Sequence, residues 1–482
     1  MTGSLPSTSN EQTPATSNDT QAAFTARNLV LCFDGTNSSF GPTNTNVVRL
    51  IEVLARDDDS KQMLYYQTGI GTYANPGIIV PFMLSLAKLA DMMVAWYLDE
   101  HVMGGYRYLM QHYRPGDRIY LFGFSRGAYI ARALAGMLHK VGLLPPSMFE
   151  QVPFAYKMYA DNRKDREGLA QHFKKTLSRR NVRVHFVGAW DTVSSVGLIY
   201  SRNLPFTTSN ESIRYFRHAL ALDERRVRFR PSLYQNPLRT VHRAEEKSAE
   251  STAATRPDAE QDQLKPVKEV WFAGTHADVG GGNVNNYTFT NRLANPPLEW
   301  MIGEACEAGL LLVENAAYKN VLGTSEDDVL AQAHDELKLQ RAWWFLEYFP
   351  LTSEVWDKSA QKWRIKRWRW VLGFTVIVSL RPLWLDLAYS QFNFFFSFCR
   401  FNRGRARHTG PNPLVHESVN KRKSNTDPTK GEVEYTPRAL LPDGYAVEPT
   451  THLALAMAKQ RSAETKRAGG QGRGYQSELG SG

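Results

Sequence analysis

The chain has 482 residues, of which 42% are hydrophobic and 22% charged, a composition typical of globular proteins rather than disordered or fibrous ones. Its three cysteines, Cys32, Cys306 and Cys399, form no CxxC pair and no metal-ligand spacing. This argues against a disulfide framework and a structural zinc site, and it favours a reducing compartment. The net charge of +10 allows nucleic acid, an anionic membrane or neither as a partner, so the location of the charge decides.

Composition divides the chain into four parts. Residues 1–25 are rich in Ser, Thr, Asn and Gln and predict a disordered tail. They lack the basic and apolar regions of a secretory signal, so we expect an intracellular protein, either cytoplasmic or peripheral to a membrane. A catalytic domain is expected over 26–350, with a low-complexity insert at 242–265. A basic, aromatic-rich segment over 351–460 and a disordered tail over 461–482 follow.

The first predicted strand is buried and ends in a polar turn. Residues 28–33, NLVLCF, form an apolar run that leads into Asp34, Gly35 and Thr36 at its carboxyl end, where open α/β sheets bind ligands. The Asp-Gly-Thr triplet resembles that of the aspartyl phosphatases of the haloacid dehalogenase type. Their nucleophilic Asp would fall on Cys32, so that chemistry is rejected. The simplest role for Asp34 is to cap its own turn.

The elements that follow alternate between helices and strands. Residues 45–54 predict an amphipathic helix, and 64–67 predict a short strand that ends in a glycine-rich turn. The apolar run 78–98 is long enough to cross a bilayer, but two charges near its middle favour a buried helix or a lid over an apolar pocket. Residues 101–113 predict a further helix.

The next strand and helix enclose a Gly-x-Ser-x-Gly motif. Residues 118–122 are apolar and predict a buried strand, and 128–135 are Ala-rich and predict a helix. Between them lie Gly123, Ser125 and Gly127. A strand, a tight turn and a helix form the context of a nucleophile elbow, in which the serine adopts a strained backbone conformation and the glycines leave room for it.

Two later strands are predicted to deliver polar residues to the same edge of the sheet. After a basic helical stretch over 149–180, residues 182–188 alternate as a strand and lead to Asp191. Residues 267–274 predict another strand, which leads to His276. The order Ser, Asp, His along the chain is that of α/β-hydrolases.

These residues together predict acyl-transfer chemistry. The Ser125 hydroxyl needs a neighbouring base to become a nucleophile, and His276 is the expected base. Asp191 would fix the tautomer of His276 and stabilise its cation. The backbone N–H groups of Gly35 and Arg126 are the expected oxyanion donors, each often worth about 3 kcal/mol.

Alternatives remain open for the base and the acid. His334 is an alternative base, whereas His218 lies in a helical pattern and is expected to be structural, and His416 lies in a loop-like stretch. Asp278 is a rival acid, but its closeness in sequence to the candidate base suits it better to shaping the glycine loop that follows.

The segment 362–407 carries ten Lys or Arg residues and a single acid, Asp386, interleaved with Trp and Phe. Its uninterrupted apolar core, 370–380, has 11 residues and is short for a transmembrane helix. Cationic and aromatic residues around short apolar stretches favour attachment to an anionic membrane surface. Packing within the fold and a membrane hairpin are the alternatives, and nucleic acid is not expected because no nucleic-acid module accompanies the charge.

Four stretches resemble the motifs of one known family. They are LCFDGTN at 31–37, YRPGDRIYLFGFSRGAY at 113–129, GAWDTV at 188–193 and GTHADVGGG at 274–282. In this order they resemble the α/β-hydrolase domain shared with type VI secretion phospholipase effectors of the first lipase family, a domain common in fungi and bacteria. The resemblance spans residues 26–350.

The resemblance implies an α/β-hydrolase fold, with a mostly parallel central sheet, flanking helices and helical lid or insert segments. It implies a triad of Ser125, Asp191 and His276. No metal or cofactor is expected. It further implies a lipid or ester substrate, with glycerophospholipid esters as the expected class. A soluble carboxylesterase for another substrate and a non-catalytic, membrane-associated interaction protein on a hydrolase scaffold are the alternatives.

Overall fold

The computed structural model describes residues 26–36, 38–69, 83–193, 204–234, 265–285, 292–313, 325–340, 343–347, 353–357, 362–366, 404–410, 412–425, 435–442 and 444–450. Several predicted features lie outside these residues. They are both tails, 1–25 and 461–482, all but the last residue of the insert 242–265, and the apolar core 370–380.

One sheet of eight parallel strands forms the centre of the fold, in the order β10-β9-β6-β5-β4-β3-β1-β2. Two further strands, β7 and β8, pair as an antiparallel hairpin. The strands are β1 Asn28–Phe33, β2 Gln62–Gln67, β3 Arg118–Phe124, β4 Val184–Trp190, β5 Ile213–Ala221, β6 Lys268–Phe272, β7 Ser353–Asp357, β8 Lys362–Lys366, β9 Leu414–His416 and β10 Ala446–Glu448. The predicted α/β-hydrolase-like fold with a parallel sheet is confirmed.

Helices flank this sheet. They are α1 Asn46–Val53, α2 Met83–His112, α3 Arg126–Val141, α4 Val152–Ala160, α5 Glu167–Leu177, α6 His276–Gly280, α7 Asn295–Glu307, α8 Glu326–Leu330, α9 Glu336–Leu339, α10 Trp343–Glu347 and α11 Glu417–Ser424. Two separate helices are predicted over 78–98 and 101–113, but residues 83–112 form one continuous helix, α2. Among the described residues, no helix combines the length and apolarity that a bilayer span requires.

The side chains of β1 show how the core is divided between the two faces of the sheet. Leu29, Leu31 and Phe33 pack in a core cluster with residues of α2 to α5. Val30 and Cys32 pack in a second cluster with residues of α1 and α7. All six residues of β1 are buried, as expected for a parallel strand covered by helices on both faces.

The strand β5 differs from the helical pattern that the sequence predicts around His218. Its side chains are covered on both faces, so an Ala- and Leu-rich run gives no period of two that would mark a strand. Its polar residues are paired within the sheet and its covering helix. Arg217 forms a buried ion pair with Glu304 of α7, and His218 lies 2.8 Å from Glu269 of β6.

The C-terminal strands extend the same sheet. β9 pairs with β6 through Leu414 and Val415, and β10 pairs with β9. Val415 is fully buried against Leu220 and Trp271. The sheet therefore includes residues from the segment 351–460, which we expected to follow the catalytic domain.

Candidate active site

Ser125 occupies the turn between β3 and α3 in a strained conformation. Its φ of 57° and ψ of −120° lie where non-glycine residues are uncommon. The turn is tight, because a Cβ on Gly127 would lie 2.2 Å from the carbonyl oxygen of Phe33 and a Cβ on Gly123 would lie 2.5 Å from the backbone of Gly127. The Ser125 N–H donates to the Trp190 carbonyl, which ties the turn to β4. Neither glycine of the motif could be replaced without a steric clash, because an added Cβ would overlap backbone atoms.

His276 is the first residue of α6 and contacts both other candidate residues. A capping box between Thr275 and Asp278 fixes the start of this helix. The Ser125 hydroxyl lies 2.8 Å from His276 Nε2, and His276 Nδ1 lies 2.6 Å from Asp191 Oδ2. Because a carboxylate only accepts, the proton of the neutral imidazole belongs on Nδ1, which leaves Nε2 free to accept from the serine.

Asp191 follows β4 directly and is fully buried, with a φ of 40°. Besides His276, the Ala221 N–H donates to its Oδ1 over 3.0 Å. The Arg407 guanidinium donates to both carboxylate oxygens, over 2.6 Å to Oδ1 and 2.9 Å to Oδ2. Burial raises the pKa of Asp191, but the Arg407 cation and the hydrogen bonds from His276 and Arg407 outweigh it and hold that pKa well below its usual range.

The pKa of His276 is lowered, chiefly by its burial. The carboxylate of Asp191 opposes this shift, and two further charges act on the ring with opposite signs. Arg226 lowers the pKa, whereas Glu224, which accepts from the His276 N–H over 3.3 Å, raises it. The imidazole is therefore neutral near pH 7 and can accept a proton.

Aromatic rings enclose the imidazole. Its ring centre lies 4.6 Å from that of Phe124 and 4.7 Å from that of Phe229. The Arg226 guanidinium stacks over Phe229 at 3.7 Å and lies 4.9 Å from the ring centre of Trp343. These rings hold His276 in place and exclude water from it.

The predicted oxyanion donor Gly35 is engaged elsewhere. Its N–H donates to Asp34 Oδ1 over 2.7 Å. Asp34 is buried and also accepts from the hydroxyls of Thr45 and Tyr66, so it caps its turn as predicted. The Gly35 N–H would have to leave this carboxylate to bind an oxyanion, and this geometry does not support its predicted role.

Arg126 and Thr36 meet beside the serine. The Arg126 side chain donates to the Thr36 hydroxyl over 2.5 Å, which joins the turn after β1 to the start of α3. Arg126 is the first residue of α3, and the first N–H groups of a helix have no acceptor within the helix. The backbone of Arg126 thus keeps its place as an expected oxyanion donor.

The alternative base and the rival acid pair with each other. His334 Nδ1 lies 2.8 Å from Asp278 Oδ1, and the His334 N–H donates to Asp278 Oδ2. Asp278 also accepts from Thr275 and Asn283. Asp278 therefore shapes the turn around α6, as its spacing predicts. His334 contacts Asp278, whereas the Ser125 hydroxyl contacts His276.

The other two histidines have structural contacts. His218 accepts from the Thr192 N–H over 3.0 Å and so supports the loop that carries Asp191, but it does this from a strand and not from the predicted helix. His416 ends β9 and caps α11, where it accepts from Ser418, so the loop expected there is wrong.

Sequence reasoning missed Arg407. It lies at the end of the segment that favoured membrane attachment, one of ten basic residues there, and nothing in the sequence distinguishes it. Glu224 and Arg226, which form a buried pair beside His276, were also missed. In the described parts of the chain, no cluster of three or more His, Cys, Asp or Glu side chains could hold a metal ion.

Residues 27–304 match the family model described as "T6SS, Phospholipase effector Tle1-like, catalytic domain". Among curated proteins, the chain is 30% identical over 428 residues to the uncharacterized protein YEL023C of Saccharomyces cerevisiae. This match covers 66% of the chain and 63% of the yeast protein, so the chain spans less than two thirds of that relative's length.

Matches among solved structures include the following two. An uncharacterized protein from Pseudomonas aeruginosa matches with a TM-score of 0.35 and 19% identity, over 66% of this chain and 52% of that one. The Tle1 effector bound to the VgrG spike of the type VI secretion system matches with a TM-score of 0.27 and 16% identity, over 55% of this chain and 53% of that one.

Proposed function

The chain belongs to the family of Tle1-like catalytic domains of type VI secretion phospholipase effectors, and on this premise we propose that it is a serine hydrolase that cleaves carboxylic esters of lipids, with phospholipids preferred. Family membership supports a lipase or phospholipase in the broad sense. The observation that carries the finer proposal is the unbroken chain of hydrogen bonds from the Ser125 hydroxyl through His276 to Asp191.

In the acylation half of the proposed reaction, Ser125 Oγ attacks the carbonyl carbon of the ester while its proton passes to His276 Nε2. The tetrahedral intermediate then collapses. The bond between the carbonyl carbon and the alcohol oxygen breaks, and His276 returns the proton to that oxygen. The alcohol leaves, and the acyl group remains as an ester of Ser125.

In the deacylation half, water attacks the acyl carbon and gives its proton to His276. The bond to Ser125 Oγ breaks, Oγ takes the proton back from His276, and a carboxylic acid leaves. Asp191 remains ionised throughout, fixes the tautomer of His276 and stabilises its cation. The Arg126 N–H at the start of α3 would stabilise the negative oxygen, aided by the helix dipole.

We further propose that the basic, aromatic-rich segment 362–407 brings the enzyme to anionic membrane surfaces. The support is the excess of cationic residues, nine without the buried Arg407, over one acid among tryptophans and phenylalanines. A lipid hydrolase benefits from this attachment because its substrate is confined to the surface.

Labelling with a fluorophosphonate probe tests the serine mechanism, because this reagent reacts with activated serines. We expect the wild type and a Ser60→Ala variant, which alters an exposed serine, to be labelled, and Ser125→Ala to resist. An unlabelled wild type, or equal labelling of Ser125→Ala, would overturn the proposal. A panel of phospholipids and short-chain esters run on the same variants separates phospholipase from carboxylesterase activity.

A further inference from the structure

Arg407 is enclosed at the acid end of the candidate triad. Its side chain is 1% exposed, and both terminal nitrogens donate to Asp191. The same nitrogens also donate to the carbonyl oxygens of Ala221 and Phe229. The guanidinium is thus fixed by four acceptors from three parts of the chain, in the two-pronged geometry that only Arg provides.

We propose that Arg407 is a positioning residue of the active site, which fixes the Asp191 carboxylate and thereby sets the base strength of His276. The inference rests on the proposed function and adds to it a residue outside the stretch 27–304 that the family model matches. In this view, docking of the C-terminal part of the chain completes the site.

The geometry supports positioning because neither carboxylate oxygen is free to turn. Oδ1 of Asp191 accepts from Arg407 and Ala221, and Oδ2 accepts from Arg407 and His276. Any rotation of the carboxylate that breaks its contact with His276 also breaks its two hydrogen bonds to Arg407. Without Arg407, a single backbone N–H would oppose this rotation.

The charge of Arg407 acts on His276 through Asp191. An unpaired buried carboxylate would stabilise the imidazolium strongly and make His276 hold its proton. A guanidinium on the far side of the carboxylate neutralises part of that charge. The Asp191–His276 pair therefore releases its proton at a lower pH when Arg407 is present, and more of the base is neutral at pH 7.

Arg407 is tied to the C-terminal strands. Its carbonyl accepts from the Leu440 N–H over 3.0 Å, and the chain enters β9 at Leu414, which pairs with Val270 of β6. The stretch 404–410 is thus held between the sheet and the site. Part of the segment expected to bind membranes instead packs within the fold and contacts Asp191.

Other charges near these groups stay unchanged in the test below. Glu224 and Arg226 act on His276, Arg230 and Glu224 act on Arg407, and His218 lies close to Asp191. Glu347 and Arg405 act on Arg230.

The pH dependence of kcat/KM for ester hydrolysis tests the inference with Arg407→Gln and Arg407→Lys. For Arg407→Gln we expect the acid limb to move to higher pH by about one unit and the plateau to fall roughly 10- to 100-fold. Arg407→Lys keeps the charge but not the two-pronged grip, so its acid limb should stay near that of the wild type while its plateau falls. Unchanged profiles in both variants would overturn the proposal.

Arg27 offers a matched control at the other edge of the sheet. It also forms a buried, two-pronged pair with an aspartate, Asp117, ahead of β1 and β3. Arg27→Gln should lower thermal stability and leave the acid limb of kcat/KM in place. If Arg27→Gln moves the limb as far as Arg407→Gln does, the effect reflects general loosening and the proposal fails.

A second readout is independent of hydrolysis. The downfield NMR resonance of the His276 Nδ1 proton, followed against pH, reports the titration of the Asp191–His276 pair. We expect its midpoint to rise in Arg407→Gln. A raised midpoint in a protein that hydrolyses no ester would uphold the role of Arg407 and sink the proposed function, and an unchanged midpoint would sink the role itself.

If Arg407→Gln does not fold, two other variants take its place. The double variant Asp191→Asn, Arg407→Gln removes both charges and tests whether the uncompensated charge prevents folding. The kinetic test is then made with Arg407→Lys. We expect the double variant to fold, because the uncompensated charge is gone. A plateau and acid limb of Arg407→Lys equal to those of the wild type would then overturn the proposal.

Discussion

Asp191 combines backbone strain with a fully buried charge. Its φ of 40° is in the left-handed region, which aspartate tolerates better than most residues. Three groups stabilise the charge, namely the guanidinium of Arg407, the imidazole of His276 and the N–H of Ala221. Because this buried charge is balanced by specific partners, we expect replacement of Asp191 to change both the activity and the stability of the protein strongly.

Replacement of Asp191 by Asn should lower kcat by roughly 10⁴-fold, because the amide cannot fix the productive tautomer of His276. The free energy of unfolding should fall by about 3–5 kcal/mol, because the Arg407 cation stays buried without its partner. Ester hydrolysis and urea unfolding measure the two effects. The exposed Asp58→Asn serves as control, and a loss below tenfold in kcat would contradict the assigned role.

The pH dependence of this stability difference follows from the lowered pKa of Asp191. Since the unfolded state, with a pKa of about 3.9, takes up a proton first as the pH falls, acid favours unfolding. The stability difference between the wild type and Asp191→Asn should be full above about pH 5 and shrink as the pH falls below about 4. Urea unfolding at several pH values measures this, and a difference that grows towards acid would contradict the lowered pKa.

The convergence of Ser125, Asp191 and His276 could be predicted because each follows a predicted strand, and parallel strands bring their carboxyl ends to one edge. Arg407 could not be predicted in this way. It lies 216 residues from Asp191 in the chain, and its pairing depends on how the C-terminal strands dock. Local patterns carry no information on such a contact.

At the scale of elements, the turn between β3 and α3 depends on the close approach of β1. A Cβ on Gly127 would meet the carbonyl oxygens of Phe33 and Asp34 at 2.2 and 2.4 Å, and backbone atoms cannot move aside as a flexible side chain can. The elbow and the turn after β1 therefore form one packed unit.

Gly127→Ala should lower the free energy of unfolding by about 1–3 kcal/mol, the usual cost of overpacking. It should also reduce fluorophosphonate labelling of Ser125. Gly168→Ala is the matched control in α5, where an added Cβ meets nothing within 4 Å. That variant should gain about 0.5–1 kcal/mol from better helix propensity. Thermal melts rank the three proteins, and equal stability of Gly127→Ala and wild type would refute the packing argument.

The strands differed in how well the sequence predicted them. β1, β3, β4 and β6 could be predicted because each is an apolar or alternating run that ends in a polar loop. The sequence around His218 predicts a helix where β5 lies, because a strand covered on both faces loses its alternation. β9 and β10 have three residues each and gain stability from their neighbours rather than from their own pattern.

At the scale of the whole molecule, the proposed preference for anionic membranes depends on the charge of +10 and on the segment 362–407. Neutralising Lys362, Arg364 and Lys366 to Gln in the full chain should reduce flotation with vesicles of anionic phospholipid and leave flotation with neutral vesicles unchanged.

The matched control neutralises three exposed basic residues elsewhere, Lys157, Lys175 and Arg180. It should bind anionic vesicles more tightly than the 362–366 variant, although both carry the same net charge. Equal flotation of the two variants would mean that net charge alone attracts the vesicle, and the segment would lose its assigned role.

The strand order has a consequence for how the molecule is made. From β3 onward, spatial order in the sheet follows chain order, through β4, β5, β6 and β9 to β10. The sheet can thus grow outward from one end as the polypeptide leaves the ribosome. Asp191 emerges 216 residues before Arg407, roughly 10–40 s earlier at ordinary rates of synthesis. During that interval a lipid hydrolase whose triad is positioned by Arg407 would hydrolyse esters more slowly, so nascent or prematurely terminated chains would do less damage to membranes than the finished protein.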